Sequence, residues 1–315
     1  VFSYIPIPNK VAITRAAPEA SPSGAALGIQ PSIAIQDAVG NTITTGNGST
    51  FVITATVSAG ASLTGTRTAT AVAGVASFTN LGVSGEAGET YTITYTAPGL
   101  VPVTQNVRIA RNCDGVRFEC LVGDIGPGGG TIFYVAPEFF TQTGATGAMC
   151  TTECKYLEVA PAGWGGSAND SIGDWSSNST AATVQDSTTG SNQSANAAEK
   201  VNWQIGQGFY NTSVMKVTGA TTTVRDLVVA YSGTSSRTAG QWFLPSVNEL
   251  NELCKWSNNL PTGNLKTSCA SSTARGFMPG FVSFRYWSSS ENSALNAWII
   301  RFSSELIAPI RKTGD

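Results

Sequence analysis

Histidine is absent from all 315 residues. That absence removes the commonest general base and a favoured metal ligand, and it rules out a Ser-His-Asp or Cys-His device. Charge is scarce as well: Lys, Arg, Asp and Glu make up 12% of the chain and the formal net charge is −2. Nothing in that balance would attract nucleic acid. Long hydrophobic runs are also missing, since no stretch approaches the roughly twenty apolar residues of a spanning helix. No membrane insertion is therefore expected. No basic or apolar leader precedes Val1, so the sequence reads as a mature exported product or a fragment.

What is present is unevenly distributed. The six cysteines and seven tryptophans all lie after residue 112, which marks two cores: residues 10–112 and residues 113–315, preceded by a short apolar segment, 1–9. The cysteines fall as three local pairs, Cys113 with Cys120, Cys150 with Cys154, and Cys254 with Cys269. An even count in such pairs reads as disulfides made in an oxidising compartment, at the cell surface or outside the cell. Zinc is the competing reading, but no His is available and the Cys-x-x-Cys knuckles of such sites are not repeated.

Residues 10–112 show short β-branched runs separated by Gly, Asn and Pro, the pattern of a β-sandwich. The runs are Val11–Thr14, Ile33–Gln36, Phe51–Val57, Arg67–Val72, Val75–Thr79, Tyr91–Thr96 and Val101–Ile109. Alternation places Tyr91, Ile93 and Tyr95 on one face of their strand. Asp37, Gly40 and Asn41 form a turn. The stretches Ser32–Asn41, Ala73–Phe78 and Ala87–Tyr91 resemble bacterial immunoglobulin-like surface repeats, which implies an all-β immunoglobulin-like sandwich acting as a spacer. Ahead of it, Phe2, Tyr4, Ile5 and Ile7 are apolar and held extended by prolines. They are expected to end a preceding repeat, to pack on the domain's own edge, or to act as a donor strand for a neighbouring subunit.

After Cys113 the character changes. Gly123–Gly130 feeds the strand Thr131–Val135, but the Lys of a phosphate loop is missing, so the glycines read as a turn that lets backbones approach closely. Tyr156–Pro161 is a further strand. It enters a long polar stretch, Gly165–Ala198, in which Asp170 and Asp174 are candidate calcium ligands, without the spacing of an EF-hand. Helices are expected over Ala195–Gly206 and over Thr223–Tyr231, the latter with Val224, Leu227, Val228 and Tyr231 on one side.

Two phrases are the most specific. In Trp242-Phe243-Leu244-Pro245-Ser246-Val247-Asn248-Glu249-Leu250, Ser246 and Glu249 have the spacing of a capping box, which predicts a helix start with Leu250, Leu253 and Trp256 along one buried face. Phe281–Ser288 and Ala297–Phe302 read as a strand pair, with Trp298, Ile300 and Phe302 together in the core. Trp287 beside Ser288-Ser289-Ser290-Glu291 reads either as core or as a sugar-stacking platform.

In chain order, Gly129–Val135, Leu157–Pro161, Asp174-Trp175, Trp242–Leu250 and Tyr286–Glu291 resemble the family of the C-terminal domain of the Legionella collagen-like adhesin, over about residues 120–315. That family is similar to C-type-lectin-like and formylglycine-generating-enzyme-like folds, which implies an α+β C-type-lectin-like domain with a small irregular sheet. Its association with sulphated glycans is not matched electrostatically, because residues 113–315 carry 13 basic and 16 acidic side chains. The Glu-Pro-Asn and Trp-Asn-Asp signatures of calcium-dependent lectins are missing. The family's closing strand is absent, replaced by Leu306–Ile310, or filled by Val1–Ile7 of another copy.

Function then narrows to binding rather than catalysis. The first expectation is an extracellular stalk with a lectin-like head for adhesion, in which Trp175, Trp203, Trp287 and Glu291 hold a neutral glycan or a cell-surface ligand by stacking and hydrogen bonding. No cofactor is required, with calcium as a candidate. The alternative is a structural subunit of an extracellular filament, sheath or virion fibre, self-assembling through Phe2, Tyr4, Ile5 and Ile7.

Overall fold

The computed structural model describes residues 6–115, 117–142, 150, 152–166, 173–175, 203–215, 223–233, 241–265, 267–269, 277–282, 284–293, 295–303 and 306–312. The chain divides into two compact units at Arg111/Asn112, both rich in β-structure. No helix among the described residues is long and apolar enough to cross a membrane.

The first unit is built of strands β1 (Lys10–Arg15), β2 (Ala20–Ser21), β3 (Ser32–Gln36), β4 (Val52–Val57), β5 (Ser62–Thr64), β6 (Thr68–Thr70), β7 (Val75–Ser77), β8 (Gly82–Ser84), β9 (Thr90–Thr96) and β10 (Val103–Ile109). One sheet runs β1-β3-β7, a second β2-β10-β9-β4-β6, and β5 pairs with β8. All pairings are antiparallel except that of β2 with β10. Ile33 and Ile35 of β3 share one core with Ile53 of β4 and Ile93 and Tyr95 of β9, so the two larger sheets bury their apolar sides together. In β9 the alternation expected of Tyr91, Ile93 and Tyr95 is observed, with all three buried. The short strands β2, β5 and β8 were not anticipated, because two or three residues are too few to show a period of two.

The Asp37–Asn41 turn forms as its residues dictate. Asp37 Oδ1 accepts from the Val39 and Asn41 N–H groups, and Gly40 takes a φ of 100°. These bonds hold the Asp37 carboxyl below its usual value, the Asn41 N–H contributing most. At the start of the unit, Asn9 donates to the Gln36 carbonyl and accepts from the Val101 N–H. Ile7, just before, is 77% exposed. Phe2, Tyr4 and Ile5 lie outside the described residues.

The second unit holds β11 (Thr131–Phe140), β12 (Cys154–Val159), α1 (Gln207–Val214), α2 (Val224–Ala230), α3 (Val247–Ser257), β13 (Arg285–Glu291), β14 (Asn296–Arg301) and β15 (Ile307–Arg311). β11 and β12 form an antiparallel ribbon, and β13-β14-β15 a small antiparallel sheet. β15 is the third strand of this sheet, pairing with β14 so that Ala308 lies opposite Ile299. Helix α2 matches its expected span. The helix expected over Ala195–Gly206 falls outside the described residues through 202, and the helical turn beyond it begins only at Gln207. The strand expected from Phe281 starts at Arg285 and runs on through the serines to Glu291.

All three expected cysteine pairs are disulfides, Cys113–Cys120, Cys150–Cys154 and Cys254–Cys269. They mark an oxidising compartment. Their placement leaves the first unit without any covalent staple.

Candidate functional site

The two specific phrases meet in space. Ser246 caps α3 by accepting from the Glu249 N–H at 3.3 Å, and Glu249 Oε2 accepts from the Ser246 N–H at 2.8 Å. Strand β13 is stitched to this helix start: the Ser289 N–H donates to the Pro245 carbonyl at 2.7 Å, and the Val247 N–H donates to Ser290 Oγ at 3.2 Å. Glu249 goes further, because its Oε1 accepts from the Gly206 N–H at 2.7 Å. Its carboxyl is fully buried. Burial pushes it up to about 7, against the lowering effect of the Ser246, Gly206 and Gly208 N–H groups. A Cβ at Gly208 would come within 2.2 Å of Glu249 Oε2, so the carboxylate occupies space that only glycine leaves.

Helix α3 is buried nearly all round. Leu250 and Leu253 face the core as their spacing predicts. The polar side is buried too: Glu252 and Lys255 pair at 2.6 Å, Glu252 Oε2 accepts from the Gly263 N–H at 2.6 Å, and Lys255 Nζ donates to the Asn264 carbonyl at 2.6 Å. Asn251 takes the Cys269 N–H at 2.9 Å. The polar face therefore fastens the following loop, alongside the Cys254–Cys269 bond. The helix ends with Asn259 at φ 55° and the Leu260 N–H returning to the Lys255 carbonyl, a Schellman closure.

Beside this anchored helix start lies a cavity of ≈ 750 Å³. Its wall is mainly apolar and aromatic, with Trp164, Tyr231, Trp242, Phe281, Phe284 and Trp287 contributing rings. Trp164, Tyr231 and Trp242 form a chain of contacts, with centroids 5.5 and 5.3 Å apart. The Tyr231 hydroxyl and Trp242 Nε1 find no hydrogen-bond partner among the described residues. Burial and the neighbouring Glu158 push the Tyr231 phenol up, so it stays a protonated donor. The α2 face expected to be apolar, Val224, Leu227, Val228 and Tyr231, lines this cavity, and its Val224 is buried in a small core cluster against which Val228 packs.

Four charged side chains also line it: Glu158, Glu249, Arg285 and Arg301. Glu158 is engaged by the glycine-rich turn, accepting from Gly128 N–H at 3.0 Å and Gly130 N–H at 2.6 Å. The turn that lacked a phosphate-loop lysine thus wraps an internal carboxylate. A Cβ at Gly130 would meet the Val159 carbonyl oxygen at 2.0 Å, the close backbone approach that the glycines were read to allow.

Most of the expected glycan-contact residues do not reach the cavity, and three are corrected. Trp175 is 1% exposed, donates from Nε1 to the Ser288 carbonyl at 2.7 Å and lies under Lys312, whose Nζ is 4.9 Å from its ring. Trp203 is buried edge-on against Trp298, 4.9 Å between centroids. Neither ring has a free face. Glu291 is buried and forms an ion pair with the fully buried Lys312, so it is a structural group rather than a sugar ligand. Burial pushes the Lys312 ammonium down, while Glu291 opposes that shift. The serines between are buried as well: Ser288 Oγ donates to the Trp298 carbonyl at 2.9 Å, and Ser290 is held by α3. No hydroxyl-rich platform exists there. Trp287 alone of the three candidate tryptophans lines the cavity, half-buried with Nε1 donating to the Gly173 carbonyl at 3.1 Å. Sequence reasoning missed Trp164 and Tyr231 as site residues and treated Trp242 only as part of a helix start.

Of the calcium candidates, Asp170 lies outside the described residues. The Asp174 carbonyl accepts the Val224 N–H. Among the described residues no group of three or more Cys, Asp or Glu is arranged to hold a metal ion.

No family model matches the chain, and no curated protein is significantly similar to it. Among solved structures, a β-glycosidase from Bacteroides vulgatus is similar at 17% identity over 33% of this chain and 14% of that one, with a TM-score of 0.27. A β-glucuronidase from Parabacteroides merdae is similar at 16% identity over 34% and 13%, with a TM-score of 0.25. This chain spans about a seventh of those enzymes, and likeness at that level carries no argument about fold or activity.

Proposed function

We propose that the chain is an extracellular surface protein, an immunoglobulin-like sandwich carrying a lectin-like α+β head that binds a glycan or another cell-surface ligand. The observation that carries the reading is the aromatic cavity with two polar groups in its wall, Tyr231 hydroxyl and Trp242 Nε1, that have no hydrogen-bond partner among the described residues. Aromatic faces take the apolar side of a sugar ring, and free donors at their edges take its hydroxyls. Recognition rather than catalysis fits the charged groups, because Glu158 and Glu249 are each held by backbone N–H groups. The disulfides fit an exported protein.

The test is a glycan-array screen followed by tryptophan-fluorescence titration of the hits. Binding should fall at least about tenfold in Trp242→Ala and several-fold in Tyr231→Phe. Hits whose affinity is unchanged in both variants would place the site elsewhere.

A filament subunit is the second reading, favoured by the exposed apolar side chain of Ile7 just ahead of the anchored Asn9. Deleting residues 1–7 should then abolish higher-order assembly in light scattering. An unchanged mass would dismiss it.

A further inference from the structure

Two arginines stand together in the cavity wall. Arg285 of β13 and Arg301 of β14 are direct cross-strand partners, and both line the cavity. Directly opposed residues of an antiparallel pair hold their Cβ atoms about 4.5–5.5 Å apart, and like charges in that position repel. Among the described residues no carboxylate pairs with either guanidinium. The cavity's own carboxylates, Glu158 and Glu249, are turned to backbone N–H groups of the glycine turn and of the α3 start. Elsewhere in the unit the buried lysines are paired, Lys255 with Glu252 and Lys312 with Glu291. Unlike those lysines, Arg285 is exposed and Arg301 half-buried, so the guanidinium pair lines the cavity where solvent and a ligand can reach it.

We infer that Arg285 and Arg301 form a subsite for one carboxylate on the bound ligand, so that the cavity selects a sugar bearing a single acidic group over its neutral counterpart. This rests on the cavity being the glycan site. Trp287 lies two residues along β13 from Arg285, on the same side of the strand, so a ring stacked there places a substituent acid within reach of the guanidinium pair. Guanidinium forks match the planar, two-oxygen geometry of a carboxylate. A long polyanion is disfavoured, because residues 113–315 carry three more acidic than basic side chains, 16 against 13. The attraction is therefore confined to one acid group that reaches the guanidinium pair, not spread over the whole unit.

The intact chain is titrated by calorimetry with methyl glycosides of glucuronic, galacturonic and N-acetylneuraminic acid, of glucose and galactose, and with the 6-sulphate of methyl glucoside. At least one carboxylated sugar should bind about tenfold or more tighter than its neutral partner and than the sulphate. In Arg285→Gln/Arg301→Gln the ratio of acidic to neutral affinity should fall to about one, whereas Trp242→Ala should weaken both and keep the ratio. Melting temperatures check that the variants fold. Equal binding of acidic and neutral sugars, equal binding of the sulphate, or a preference that survives the double variant overturns the carboxylate subsite and leaves the glycan reading standing. If none of these sugars binds, the carboxylate subsite falls, and the glycan reading is decided by the array screen alone.

Discussion

Glu249 is the residue on which opposing demands converge. Its carboxyl is fully buried, yet it accepts N–H groups from the loop before α1 and from the start of α3, so it joins two segments distant in sequence. Burial lifts its titration from the ordinary glutamate range to about 7. Between those values the folded state keeps a proton that the unfolded chain has released. Stability contributed by this group is therefore present at acid pH and lost as pH rises through that window. The melting temperature of the second unit should accordingly decline between about pH 4.5 and pH 7, measured by circular dichroism. In Glu249→Gln that slope should flatten. The variant should also lose about 1–3 kcal/mol, because an amide NH₂ faces a buried N–H where an oxygen stood. An unchanged slope in the variant would assign the pH dependence to another group.

At the scale of elements, α3 shows what local sequence can and cannot reveal. Removing the cap with Ser246→Ala should cost about 1–2 kcal/mol in chemical denaturation, since the hydroxyl also donates to the Trp203 and Gln204 carbonyls. Cutting the buried pair with Lys255→Met should cost more, about 3–5 kcal/mol, while Glu252→Gln together with Lys255→Met should recover part of that loss. A single variant as stable as the native protein would show the pair to be dispensable. The cap was legible because its partners lie three residues apart, and the strands of the first unit because alternation is a local signal. Cystine pairing was legible for the same reason, each partner lying close along the chain. The closure of Glu252 on Gly263 and of Glu291 on Lys312 was not, because nothing in the sequence near either glutamate announces where its cation or N–H donor will come from. The same blindness misplaced Trp175 and Trp203: a tryptophan in a polar stretch looks exposed until the strand that covers it is known. It also hid the cavity, whose rings come from widely separated segments.

At the scale of the whole molecule, the cystines divide the chain unequally. All three lie in the second unit, so a reducing agent should lower that unit's transition in scanning calorimetry and leave the first unit's unchanged. Loss of the Cys254–Cys269 link alone, which spans 15 residues, should cost about 3 kcal/mol on chain-entropy grounds. A shift of both transitions together would show that the units do not unfold independently. The contact of Lys312 with Trp175 gives the same unit an optical signature of its own. A cation fixed against one indole perturbs the emission of that ring, and the cation follows directly after β15. Detachment of that edge strand would thus change the colour or yield of Trp175 fluorescence before the rest of the sheet lets go, making the final residues their own built-in gauge of fraying.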